Sequence, residues 1–169
     1  QTFTLDDGAT YVIVAGGIVS PTGYAPATPF DLTVFGLGQE AAAGGAATTD
    51  VLVYHGATDA PVVDVFESAV VNTTVVDDMG YGQFAGYLPL PTLDFTLQVR
   101  DQYNSSIVAA YSAPLATLGL GGSALVAVAS GFLDPTVNSN GPAFGIWVAL
   151  PSGGALVPLP AAPIPTARV

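Results

Sequence analysis

The chain of 169 residues has no cysteine and no lysine; its only cations are Arg100 and Arg168, and its only histidine is His55. Without cysteine there is no disulfide framework, no thiolate metal site and no cysteine nucleophile. Thirteen acidic residues against two basic ones give a net charge of -11, which repels nucleic acid and anionic lipid, so neither is expected as a partner. Charged residues make up only 9% of the chain, so the acidity reflects scarce cations rather than acidic tracts, and a solvated acidic surface accounts for it. Long hydrophobic runs are missing too. The most apolar stretch, residues 123–133, falls well short of the roughly 20 residues a spanning helix needs, so it reads as a buried strand and no membrane insertion is expected. The chain opens on Gln1 with no basic region leading into an apolar segment, which reads as a processed chain or a piece of a longer one.

What is present is hydrophobic and finely punctuated. Half of the residues are hydrophobic, enough for one good core, and 20 Gly and 14 Pro divide them into short runs. Residues 94–100 alternate, with Phe95, Leu97 and Val99 on one face and Asp94, Thr96, Gln98 and Arg100 on the other, which is the period of a strand with one wet side. Residues 30–35 do the same. Further strands are expected over 10–19, 51–55, 62–66, 70–76, 107–112, 123–132, 144–150 and 155–159, and many short strands between turn signals argue for an all-β, immunoglobulin-like antiparallel sandwich. Its core should include Phe95, Leu97, Val99, Val126, Val128, Phe144, Ile146 and Val148. Only residues 39–43 could start a helix, which Gly44 and Gly45 would stop. The surrounding stretch, 36–49, reads as a linker centred on 41–46.

An internal repeat divides the chain. Residues 8–22 align without gaps on residues 122–136 at an offset of 114, pairing Gly17 with Gly131, and the same offset carries Phe30 onto Phe144 and Val34 onto Val148. A gapless register across strand, loop and strand is more than shared composition. It assigns residues 1–40 to the C-terminal strands of an incomplete module and residues 47–160 to a complete one. Residues 161–169 form a Pro-rich tail whose last five residues look like the start of another.

The stretch from Val51 to Phe66 anchors the complete module as two strands around a corner. Gly56 permits positive φ, Asp59 can brace backbone amides, and Pro61 biases Ala60 to an extended form. Its run His55-Gly56-Ala57-Thr58-Asp59-Ala60-Pro61-Val62-Val63-Asp64-Val65 resembles the opening of the domain-of-unknown-function family numbered 4397, and the match continues more loosely through Gly86 to Pro91, the strand 94–100 and the Gly-rich entry near Ala124. The resemblance implies an extracellular immunoglobulin-like module, often found in tandem in secreted and surface proteins. It implies no chemistry.

Few residues suggest catalysis or ligand binding. His55 would need a nucleophilic serine and a carboxylate beside it for hydrolysis, but no Gly-x-Ser-x-Gly elbow exists, so it reads as a structural hydrogen-bonding residue and no enzyme activity is expected. Asp59 reads as a brace on its own corner. Asp6-Asp7, Asp77-Asp78 and the loop 134–141 are the oxygen-rich places a calcium ion could choose, yet none has the ligand density of an EF-hand, so turn use is expected and neither metal nor cofactor is. Asn72 and Asn104 begin Asn-x-Ser/Thr glycosylation patterns.

Exposed apolar side chains carry more weight. If Phe144, Ile146 and Val148 face the core, Trp147 faces outward, and the same phase on 30–35 turns Phe35 outward. With Tyr11, Ile13, Phe30, Leu32 and Val34 of the half module, these two form a candidate assembly surface. The expected function is a structural subunit of an extracellular filament or tandem array, self-associating into a polymer by strand complementation between subunits. The alternative is adhesion to surface glycans through Tyr81, Tyr87, Tyr103 and Trp147.

Overall fold

The computed structural model describes residues 2–20 and 22–164; the start of a further module expected at 165–169 lies outside them. Within the described residues, turn signals cut the chain into β1 (Val12–Gly16), β2 (Asp31–Phe35), β3 (Thr48–His55), β4 (Val63–Glu67), β5 (Thr73–Met79), β6 (Phe84–Pro91), β7 (Asp94–Asp101), β8 (Ile107–Pro114), β9 (Ala124–Ser130), β10 (Gly145–Ala149) and β11 (Val157–Pro158). A five-stranded sheet in the order β11-β10-β9-β3-β6 faces a four-stranded sheet in the order β5-β4-β7-β8. All pairings are antiparallel except β3 with β9. The fold is therefore the expected all-β sandwich.

The core between the sheets is built from alternating side chains. Phe95 and Leu97 on β7 pack with Leu125 and Val148 from the other sheet and with Ala113 and Leu115, while Val99 forms a second cluster with Val63 and Tyr111 against Phe144 and Ile146. Val126 and Val128 are not in this core. On β9 the inward set is Leu125, Ala127 and Ala129, because both faces of that strand are apolar and the alternation leaves its phase open. Leu97, Phe144 and Ile146 line the core but are only half-buried. The face of β7 expected to be wet is partly covered: Gln98 is 3% exposed, its amide oxygen accepting two N–H bonds from Arg100, whose guanidinium lies 3.6 Å from the centre of the Phe66 ring.

Four local features add to the expected outline. β6 was not anticipated, since Pro89 and Pro91 speak against a central strand; it lies at the sheet edge, where a missing N–H faces no partner. Residues 39–43 form no helix, and the only turn of helix nearby is a 3-10 turn at Gly45–Ala47. The linker is also tied down, with Ala42 N donating to Gly122 O and Ala43 N to the buried Asp50 carboxylate. At the far end the sandwich continues past residue 160. Ser112 N donates to Pro160 O and Ala162 N to Ala110 O, so the tail crosses over and covers the edge of β8.

The repeat holds at the level of backbone pairing. β1 pairs β2 with Val12 opposite Phe35 and Gly16 opposite Asp31; adding 114 gives the pairing of β9 with β10, Val126 opposite Ala149 and Ser130 opposite Gly145. Beyond the strands, Ile18 bridges Pro29 as Phe132 bridges Ala143. Gly17 and Gly131 take φ of 81° and 86°, and a Cβ on either would lie 2.2 or 2.3 Å from the carbonyl oxygen of that bridging partner. Only glycine fits there.

The β1–β2 hairpin lies on the outer face of the five-stranded sheet of its own chain. Leu52 and Tyr54, pointing away from the core, are 0% and 1% exposed beneath it. The Thr33 and Tyr54 hydroxyls share a 3.0 Å hydrogen bond, and Phe35 packs against Phe84 and Tyr87 at centroid distances of 5.3 and 5.8 Å. Its loop is held as well: Ala25 N donates to the fully buried Asn138 side chain, and Ser139 Oγ to Gly23 O.

Candidate functional site

The polar residues singled out from the sequence are engaged in holding loops. His55 is 1% exposed; its Nε2 lies 3.1 Å from Pro61 O, and Nδ1 has no partner. A carbonyl requires a donor, so Nε2 carries the proton. No serine or carboxylate reaches the ring among its hydrogen bonds. Burial lowers its pKa below the usual 6.5, partly offset by its backbone hydrogen bonds. A group harder to protonate when folded stabilises above its unfolded pKa and loses that contribution as pH falls through about 6.5. Replacing His55 by Gln is therefore expected to lower stability by about 1–2 kcal/mol at pH 8 and to flatten the decline between pH 7 and 5, measured by urea unfolding.

Asp59 braces a loop other than the expected one. Its carboxylate accepts Leu133 N at 3.0 Å, Asp134 N at 2.9 Å and the Asn138 amide at 3.2 Å, tying the β3–β4 corner to the β9–β10 loop. Asp134 in turn accepts the N–H of Thr136 as a cap. Among the described residues no three His, Cys, Asp or Glu side chains converge as a metal-binding group. Asn104 spends its amide nitrogen on the buried Asp64 carboxylate, the very atom a glycan would need, whereas Asn72 is exposed in a left-handed turn.

The candidate aromatics do not share a platform. Tyr103 is 78% exposed on the turn between β7 and β8, in the opposite sheet from Trp147. Tyr81 packs edge-on to His55, and the Tyr87 hydroxyl accepts Gln39 N while its ring meets Phe35.

The apolar residues of the hairpin divide between its two faces. Phe35, expected to point out, faces its own chain's sheet and is no part of an open surface. Tyr11 is half-buried and its hydroxyl accepts Asp6 N. Ile13, Leu32 and Val34 lie on the side away from the sheet, with Ile13 49% and the adjoining Phe30 51% exposed. By the repeat, these positions correspond to Ala127, Ile146, Val148 and Phe144, all of which face the sandwich core. The hairpin thus turns a core-type face away from the sheet, with Ile13 and Phe30 exposed and Leu32 and Val34 half-buried beside Phe3.

Trp147 does lie on the outer face, in a groove beside β1. Val12, Ile13 and Val14 form one wall of this groove, and Val126, Val128 and Trp147 line it. Sequence reasoning missed the two valines as surface residues because it assigned them to the core. The available signal was the unbroken apolar run of β9, which is apolar on both sides.

Edges separate the hairpin from the sandwich. β6 carries Pro89 and Pro91, β11 carries Pro158, β5 carries Asp77 and Asp78 with two breaks in register, and β8 is covered by residues 160–162. These are recognised ways of preventing strand addition. β1 has none: it contains no proline and no charge, and among the described residues only β2 pairs with it. No helix of the described residues is long and apolar enough to cross a membrane. No family model matches the chain, and no curated protein matches it.

Proposed function

We propose that this protein is a structural subunit of an extracellular or cell-surface filament or tandem array, joined to its neighbours by strand complementation at the β1–β2 hairpin. The observation that carries the reading is the contrast between the four guarded edges of the sandwich and the bare β1 edge beside an apolar set in which Ile13 and Phe30 are exposed and Leu32 and Val34 half-buried. Burying a large apolar side chain contributes roughly 1.5–3 kcal/mol, so covering this set is a substantial drive to associate. Contact between the hairpin of one subunit and a different surface of the next is head-to-tail, and it grows as a filament when the rotation between subunits does not close a ring. The resemblance to tandem surface modules agrees with this assignment.

Removing residues 1–35 is a poor test, because it would bare Leu52 and Tyr54. A charge on the exposed face is cleaner. The unaltered chain at about 0.5 M salt, where its net charge is screened, is expected to form polymers visible by electron microscopy and to sediment in proportion to concentration. Ile13→Asp should leave a monomer with an unchanged melting temperature. A chain that stays monodisperse at millimolar concentration would rule out the proposal.

A further inference from the structure

We infer that β1 accepts a strand from a second copy of this chain, parallel to β1 and seated in the groove over Val126, Val128 and Trp147, and that the donor is residues 2–6. This rests on the assembly reading above and adds to it the acceptor, the direction and the donor. The direction follows from the repeat. β9, the counterpart of β1, is flanked on one side by β10 and on the other by β3, which runs parallel with Asp50 opposite Ala124 and His55 opposite Ala129. Subtracting 114 places the corresponding vacancy opposite Thr10 to Ala15. β2 already occupies the place of β10, so the edge left over is the one at which β9 takes a parallel strand.

The donor is identified by backbone that belongs to no strand. Thr2-Phe3-Thr4-Leu5-Asp6 alternates polar and apolar residues as a strand does, yet no strand includes it; Leu5 is 52% exposed, and Phe3, half-buried beside Phe30, Leu32 and Val34 of its own chain, exchanges that seat for the groove. Its length matches the five residues of β1. Set where residues 51–55 lie on β9, it brings Phe3 opposite Val12 and Leu5 opposite Val14, the two β1 side chains that point towards the sheet. Both apolar donors then enter the groove, Thr4 lies beside Ile13 on the other side, and the face of Ile13, Leu32 and Val34 is left for the body of the donor subunit to cover. The groove's six residues named above carry no charge, and neither do donor residues 2–5. Two copies with a net charge of -11 each meet there without like charges opposed.

The competing arrangement is within one chain. Asp6 to Ala9 form a turn closed by Ala9 N to Asp6 O at 3.3 Å, and folding back through it would lay the segment antiparallel on its own β1, with Leu5 beside Thr10. Cysteines separate the two, since the chain has none of its own. Under assembling conditions with mild oxidant, the double variant Leu5→Cys/Val14→Cys is expected to give a ladder of covalent oligomers in denaturing gels. Leu5→Cys alone stops at dimers. The pair Leu5→Cys/Thr10→Cys should give at least tenfold less ladder. Polymers without a ladder from the first pair, or closure within one chain by the last, would overturn this inference and leave the assembly reading standing. Absence of polymers from the unaltered chain would remove both. Should the paired variants misfold, Val128→Asp carries the test alone: it is expected to raise the concentration needed for assembly at least tenfold without shifting the monomer melt, and unchanged assembly would overturn the acceptor assignment.

Discussion

Replacing Gly131 by alanine is expected to destabilise the sandwich by about 3 kcal/mol or more, whereas the same change at Gly17 is expected to release the hairpin and leave the sandwich folded. Both glycines sit at positive φ, a region that costs an L-residue roughly 1–2 kcal/mol. The larger part is steric. The new methyl at 131 would lie 2.3 Å from Ala143 O and 2.7 Å from its carbonyl carbon, and backbone cannot rotate away as a side chain can. Relief requires moving the segment apart, which breaks Phe132 N to Pro142 O and Phe144 N to Phe132 O, the bonds that turn β9 into β10. Phe144 and Ile146 pack against the buried cluster of Val63, Val99 and Tyr111, so the disturbance reaches the core.

At Gly17 the clash is the same, 2.2 Å from Pro29 O, and the broken bonds are the matching pair at Ile18 and Phe30. What differs is what depends on them. β1 and β2 pair only with each other among the described residues, so their loss bares Leu52 and Tyr54 but breaks no strand pair of the sandwich. Calorimetry should show a cooperative melt retained in Gly17→Ala, with proteolytic cleavage confined to residues 1–46. Wild-type stability in Gly131→Ala would contradict the packing described, and equal collapse in both variants would make the hairpin part of one cooperative unit.

The difference between those two glycines also shows what the sequence could and could not reveal. The gapless offset of 114 located the hairpin pair, its register and the two equivalent glycines, because backbone demands on glycine and strand alternation are written locally. Where the first hairpin packs is not written locally. Val12 and Val14 could face a partner chain or the outer face of their own sheet with identical alternation, and Tyr54, read as an ordinary strand residue, became its floor. Phase was the second obstacle. On β7 the polar residues between Phe95, Leu97 and Val99 fixed which side was in, while on β9 valine alternates with alanine and leucine and only Ser130 at its end is polar on the outer face. The groove was therefore hidden by the same apolar run that creates it. Asp59 illustrates a third: the sequence identified a brace, but its acceptor bonds run to residues 74 and 75 positions away.

Glu67 is the residue whose loss is expected to cost the most among the polar groups, and nothing in the sequence marked it. It ends β4 with a side chain 1% exposed. Oε1 accepts Ala69 N at 2.8 Å and Thr96 N at 3.2 Å; Oε2 accepts Val70 N at 2.8 Å, Val71 N at 2.7 Å and Asn72 N at 3.4 Å. One carboxylate thus supplies the acceptors for a whole loop and joins it to β7. Burial by itself would raise its pKa, but the N–H groups of Ala69, Val70, Val71 and Thr96 stabilise the anion and hold it below the usual 4.5. Because the folded value is depressed, the contribution is fully present above pH 4.5 and is lost as pH falls through the folded value. Gln is no substitute, since whichever way its amide is turned, an NH2 group faces two or three N–H donors. Glu67→Gln and Glu67→Ala should therefore both lose about 3–4 kcal/mol at pH 7, with part of the full penalty relieved because Val70 and Val71 are 47% exposed and their N–H groups can reach water. The charge-specific share shows in the acid limb: wild type should lose stability steeply below pH 4.5, and both variants should lose less. Gln substitution that leaves urea midpoints within 0.5 M of wild type, or an unchanged acid limb in the Ala variant, would show that the loop holds itself without the anion.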